Sequence, residues 1–381
     1  MHDQMTAPRA SAYVHFPYCL EKCPYCDFVS YKTERKAIDH DAYADAVIQE
    51  LRARSFEGRT IASIFFGGGT PSLWEPKALG RVISAIGARD AEITVECNPT
   101  SLDADRCAAL ADAGVNRLSI GVQSLRDAEL KFLGRLHDAS GAIAAVKAAI
   151  ASPIRRVSAD LIFGLPEQAP DEAARQAGAL VDLGLDHLSC YQLTIEPNTR
   201  FGELKKRNRL PMAEDGAVAE AFVAIDESLG ARGLQHYEIS NYAREGQEAR
   251  HNLGYWRGEE YLGLGCGAFG FVRTSRGSGV RWRNQILPEK YVQNASDPTM
   301  EREELDAEAL LRERIMLGLR VREGLDLAAA GDDLGIDAMT KERRRTIDAL
   351  VARGRLSIDG ARLSIPPKAW LFADDTAARL M

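Results

Sequence analysis

The feature that most constrains this chain is an alternation, repeated six times between about residues 12 and 240, of short β-rich apolar runs with longer amphipathic stretches. The runs read SAYVHF, TIASIFFGGG, AEITVECNP, RLSIGVQS, RVSADLIFGLP and HLSCYQLT; among the stretches between them are AYADAVIQELRAR, DRCAALADAG, ASGAIAAVKAAIA and EAARQAGALVDLG. Strands separated by helices pair in parallel, because each crossover helix returns the chain to the same end of the sheet. The expected fold class is α/β, a partial (β/α)6 TIM-like barrel. Six units instead of eight leave one side open, which would admit a large substrate. Each run ends in polar or glycine-containing sequence, and in an α/β barrel the loops after the strands converge on one site.

Three segments are expected: a barrel over 1–240, a barrel-flanking segment over 241–304 rich in glycine, aromatics and arginine, and a small domain over 305–381. The last is helical (AEALLRERIMLGLR, LAAAGDDLG, KERRRTIDALVARG) and closes with RLSIDGARLSI, a hairpin around Asp359-Gly360, in a winged-helix-like order. The net charge of −7 speaks against nucleic acid as a partner, so KERRR reads as a solvated helix face. No stretch approaches about 18 consecutive apolar residues, and MHDQMTAPRA lacks the apolar core of a signal peptide, so a cytoplasmic location is expected.

Chemistry concentrates in CLEKCPYCDF, where Cys19, Cys23 and Cys26 follow the first strand. The other four cysteines, Cys97, Cys107, Cys190 and Cys266, are scattered and read as core residues. Three adjacent thiolates are one short of a closed zinc site, unless His15 or His236 supplies a distant fourth ligand. They suit a 4Fe-4S cluster with one iron left open. Downstream, Gly67 to Pro71 (GGGTP) ends the second run, and its glycines would let backbone approach a ligand closely.

CxxxCxxC after a first strand, followed by GGGTP, resembles the signature of the radical S-adenosylmethionine (SAM) proteins. The resemblance implies that the open iron chelates SAM and that Gly68, Gly69 and Thr70 meet its methionyl end. Further strand ends resemble the coproporphyrinogen oxidase-like branch: Tyr13 in YVHFPYC, Glu96 in VECNP, Gln123 in SIGVQS, Arg135 in LGRLH and Asp160 in DLIFGLP. In that branch these positions line the nucleotide and methionine sites.

Within the branch, the oxygen-independent coproporphyrinogen III oxidase carries CxxxCxxCxC and a longer leading segment. Here Phe28 stands at the fourth cysteine and eighteen residues precede Cys19. Both features resemble the HemW group of haem chaperones, as does HNLGYW, His251 to Trp256, which fits that group's HNxxYW pattern. A neutral imidazole can ligate iron, and Tyr255 and Trp256 would offer flat apolar surface to the macrocycle. The resemblance implies haem as cargo, His251 as a residue of its site, membrane-associated respiratory haem proteins as acceptors, an electron donor, and contact with the inner face of the membrane; a homodimer is compatible with it. The alternatives are the oxidase itself, an anaerobic oxidative decarboxylase, and another radical SAM reaction.

Overall fold

The computed structural model describes residues 9–54, 56 and 58–381. Along each of the six runs, apolar and polar residues alternate, and the pleat sends the two sets to opposite faces. Val14, Phe16, Ile64, Phe66, Val95, Leu118, Ile120 and Leu161 are fully buried in the main core with the helices. Their neighbours Tyr13, Phe65, Glu96, Ser119, Ser158 and Asp160 line the inside. The lumen is therefore polar, unlike the branched aliphatic filling of an ordinary eight-stranded barrel.

Strands β1 (Arg9–Phe16), β2 (Thr60–Gly68), β3 (Glu92–Cys97), β4 (Arg117–Gln123), β5 (Arg156–Phe163) and β6 (His187–Gln192) pair in parallel in that order. Helices α1 (His40–Ala53), α2 (Pro76–Ile86), α3 (Ala104–Asp112), α4 (Ala139–Ile150), α5 (Pro170–Asp182) and α6 (Asp215–Gly230) lie between and after them. Three of the six open on side-chain caps: Asp39, Asp103 and Asp138 accept the backbone N–H groups of Ala42, Arg106 and Gly141.

The segment expected to flank the barrel continues its sheet instead. Past β6 come antiparallel β8 (Asn241–Ala243) and β7 (Gln235–Glu238); beside β1 lies β9 (Glu260–Gly265), parallel to it, then antiparallel β10 (Phe269–Ser275), β11 (Ser278–Asn284) and β12 (Thr299–Leu305). Among the described residues the sheet has twelve strands. β9, EYLGLG, lacks a strand's usual side chains because the chain beside it comes so close: a Cβ on Gly263 would stand 1.8 Å from the Phe269 carbonyl oxygen. HNLGYW forms α7 (Arg250–Trp256), which packs against β2 and β1.

The C-terminal helices α8 (Ala307–Gly318), α9 (Leu327–Leu334) and α10 (Lys341–Ala352) share a second core with a three-stranded sheet, β13 (Leu325–Asp326), β15 (Arg362–Ser364) and β14 (Ser357–Asp359). The last two form the expected hairpin, with Gly360 at φ +58° in its turn. KERRR is not wholly solvated: Arg343 is buried and donates to the carbonyls of Ala338 and Leu380, 2.8 Å each, pinning the end of the chain. Among the described residues, no helix is long and apolar enough to cross a membrane.

Candidate functional site

The cysteine loop leaves β1 at Phe16 and is closed by a short parallel ladder of Tyr18–Cys19 on Tyr31–Lys32. It is stitched to the end of β2: the Gly69 N–H donates to Phe16 O (2.7 Å) and the Thr70 N–H to Tyr18 O (2.9 Å). A Cβ on Gly69 would lie 2.7 Å from Tyr18 O and 2.8 Å from Phe16 O, so this contact needs glycine. The N–H groups of Gly69 and Thr70 are thus spent within the protein; what they offer a ligand is close backbone.

Two sulfurs already receive hydrogen bonds. Thr70 Oγ1 donates to Cys19 Sγ (3.4 Å) and Arg135 Nη1 to Cys23 Sγ (3.3 Å). Such donors tune a cluster once it is bound. Burial raises the Cys19 thiol and pushes that of Cys26 up to about 11, so assembly on this loop must release protons. Among the described residues no three His, Cys, Asp or Glu side chains are grouped as ligands of a single metal ion; in a cubane, each cysteine takes a different iron. The donor set, thiols with hydrogen bonds aimed at two of the sulfurs, fits a 4Fe-4S cluster. His15 and His236 are both engaged elsewhere. His15 Nε2 lies 2.7 Å from Val29 O and Nδ1 2.9 Å from Tyr13 Oη, while His236 stacks on Tyr242 with Trp370 edge-on to it, in the second core's neighbourhood.

Around the loop stand Gly68, Glu96, Gln123 and Arg135. The Gly68 N–H donates to Glu96 Oε2 (3.2 Å); burial, reinforced by the charge of Asp160, pushes the Glu96 carboxyl up to about 8. Gln123 ends β4 at φ +58°, which a non-glycine residue seldom adopts, and the β4–β5 register slips there. Its Oε1 and the Nε of Arg135 are buried without partners, while Arg135 Nη2 holds Gly121 O at 2.9 Å. Close backbone and unpaired polar atoms at the strand ends fit a polar nucleotide cofactor.

Tyr13 and Asp160 sit deeper, in the wall of a lumen cavity of about 180 Å³ shared with Glu96 and His251. Asp160 accepts from Ser119 Oγ (3.2 Å), and burial raises its carboxyl. His251 approaches from the other end. Its N–H donates to Glu92 Oε1 (3.3 Å), and its ring stacks on Phe65 at 4.9 Å with Tyr255 edge-on at 4.8 Å. Nδ1 lies 2.9 Å from Ser63 Oγ, whose own proton goes to Ser11 Oγ, so Nδ1 carries the hydrogen and Nε2 is a bare acceptor without a partner. The residue is 1% exposed, and burial drops its pKa to about 3. The HNLGYW motif therefore does not present its histidine at the surface. His251 and Tyr255 plug the barrel floor, and Trp256 is half-buried with Arg320 5.6 Å over its ring.

Sequence reasoning overlooked Glu92, Arg117 and His187, which share the lower lumen. The alternation that marks the strands carried the signal: Glu92, Thr94 and Glu96, or His187, Ser189 and Tyr191, are the polar members of period-two runs.

Barrel, cysteine loop and glycine turn define a class, the radical SAM proteins. The profile of the radical SAM superfamily matches residues 13–206, and that of the HemN C-terminal domain matches 305–372. The chain is 35% identical over 380 residues to heme chaperone HemW of Mycobacterium tuberculosis, covering 97% of this chain and 94% of that protein. It is 41% identical over 294 residues to heme chaperone HemW of Escherichia coli, covering 75% and 76% respectively. The structure of coproporphyrinogen III oxidase (HemN) from Escherichia coli superposes with a TM-score of 0.81 over 98% of this chain and 90% of that one, at 21% identity, which shows the shared fold. The chain belongs to the HemW family of radical SAM proteins.

Proposed function

We propose that this protein binds haem and passes it to haem-dependent respiratory proteins, as a chaperone bearing a SAM-coordinating 4Fe-4S cluster. Its similarity to heme chaperones along nearly the whole chain carries this reading. Phe28, 58% exposed at the rim of the cysteine loop, supports it over the oxidase, whose pattern has a cysteine there.

In this reading Cys19, Cys23 and Cys26 hold the cluster, with Thr70 and Arg135 donating to its cysteine sulfurs. Gly68, Gly69, Glu96 and Gln123 border the SAM site, and Tyr13 and Asp160 form its deeper wall. When bound, the cluster supplies an open iron for SAM and an electron for its sulfonium. His251 takes part in haem handling, its unpartnered Nε2 being a group that could meet the iron; the cavity before it, about 180 Å³, is below the about 300 Å³ at which ligand pockets begin and would not enclose a haem. Membrane-associated acceptors, an electron donor and peripheral contact with the membrane complete the reading.

An anaerobic haem titration of the reconstituted protein, followed at the Soret band beside His251→Ala, tests it. Saturable binding of about one haem per chain, weakened by the substitution, is the expected result. Saturable binding that ignores the substitution would keep the chaperone and discard the ligand. No saturable binding would overturn the chaperone and turn attention to a reaction product from coproporphyrinogen.

A further inference from the structure

A second cavity, of about 290 Å³, opens at the barrel floor, where the strands begin. Arg117 and His187 line both it and the lumen, and Arg155, Arg156, Asp186 and Gln247 complete the part that matters here. The charges do not balance. Arg117, 2% exposed, and Arg156 share one carboxylate, Glu92, while Asp186 is committed to Arg244 at 2.9 Å. Arg155 is exposed at the cavity mouth and makes no ion pair among the described residues. With the Arg244–Asp186 pair and the opposed charges of Arg250 and Glu248 near Arg156 cancelling, three guanidiniums thus face one carboxylate.

Polar atoms are left over as well. Arg156 Nε is buried without a partner, and so is Nδ1 of His187, a residue 3% exposed. His187 Nε2 lies 2.8 Å from Tyr237 Oη, which accepts the Ala249 N–H (3.2 Å) and has its own proton to give. With that proton on Nε2's lone pair, His187 Nδ1–H is a buried donor without a partner on a residue that lines the cavity.

Part of this cluster is structural. Arg117 Nη1 donates to Gln247 O (3.4 Å), Arg156 Nη2 to Glu248 O (2.7 Å), and Glu92 receives the His251 N–H, so together they clamp residues 247–251 beneath the barrel. A clamp alone is best served by matched charges, because an uncompensated buried charge is costly. The surplus cations and the unfilled donors call for a counter-ion. We propose that the floor cavity is an anion site, taking a carboxylate or phosphate group between Arg155, Arg156 and His187. Two sources share that chemistry, a free phosphate-type anion and a propionate of haem. The site itself does not rest on the chaperone reading.

Thermal melts of the full chain in inorganic phosphate, against chloride at equal ionic strength, test it. Phosphate should raise the melting temperature saturably by a few degrees. The rise should vanish in Arg155→Gln, each protein being read against its own melting temperature in chloride; the exposed side chain can be lost with the chain still folded. Haem and its dimethyl ester then separate the sources. Haem bound several-fold more weakly by Arg155→Gln, with the ester bound alike by both proteins, assigns the site to the propionate; equal haem binding assigns it to a free anion. Phosphate that stabilises both proteins equally, or neither, with haem binding unchanged, overturns the site. A chain that binds no haem at all would sink the chaperone and leave the phosphate comparison to decide.

Discussion

Glu50 shows what one side chain can hold together. It lies on α1, fully buried, and its carboxylate accepts from Arg54 Nε (2.7 Å), Asn284 Nδ2 (2.7 Å), Tyr291 Oη (2.7 Å) and the Gly265 N–H (2.9 Å). Burial raises its carboxyl, and Arg54 with the other donors opposes that shift. Each oxygen is doubly satisfied, which is the condition for keeping a charge indoors. Removing one member of such a network leaves the rest buried and unpaired, so Glu50→Ala should cost about 3–5 kcal/mol. Urea unfolding reads it directly, and a loss below about 1 kcal/mol would mean that water replaces the carboxylate. Nothing in AYADAVIQELRAR marked this glutamate, because three of its partners lie more than 200 residues downstream. The cysteines were legible for the converse reason: their spacing is local and their chemistry belongs to the residue type.

At the level of elements, the six parallel strands could be read because each is a short β-rich run with turn residues behind it. β9 and α7 could not. β9 is glycine-rich because chain packs directly against it, and α7 is a seven-residue helix whose place on the barrel floor is set by Glu92, Ser63 and Phe65. The turn GGGTP was legible as a place of close backbone approach, and its geometry shows what approaches: the cysteine loop docks there. Gly69→Ala would drive a methyl group into two carbonyl oxygens of that loop. The expected outcome is a folded protein, destabilised by about 1–3 kcal/mol, that reconstitutes little cluster. Iron content and absorbance of the reconstituted variant check this; a full cluster complement would show that the loop holds its shape without the turn. Gly68→Ala, which aims its Cβ at the His15 ring 2.4 Å away, tests the same junction from its other side.

Across the whole molecule, buried titratable groups set how stability answers to pH. His15 and His137 are lowered to about 4 and His251 to about 3, chiefly by burial, and burial holds His187 well below the ordinary value. In each case the unfolded chain takes the proton first. Their contribution is therefore complete above the usual 6.5 and drains away as the pH falls towards 4. Burial acts in the opposite sense on four carboxyls, raising Glu50 and Asp160, Glu96 to about 8 and Glu238 to about 7. The folded chain keeps those protons where the unfolded one has released them, so that stability is whole below the usual 4.5 and is lost as the pH climbs through 7 and 8. With His40 and His236 also lowered by burial, six histidines outweigh four carboxyls between 4.5 and 6.5. The maximum should then lie close to the ordinary histidine value, with an acid limb owed to the histidines and an alkaline limb owed to the lumen acids. Thermal melts of the cluster-free chain at several pH values would trace both limbs. Glu96→Gln keeps the neutral shape and cannot ionise, so it should match the native chain in acid and exceed it at about pH 8.5. An alkaline limb of unchanged slope in that variant would place the alkaline loss elsewhere, and Glu238→Gln would then be the variant to carry it.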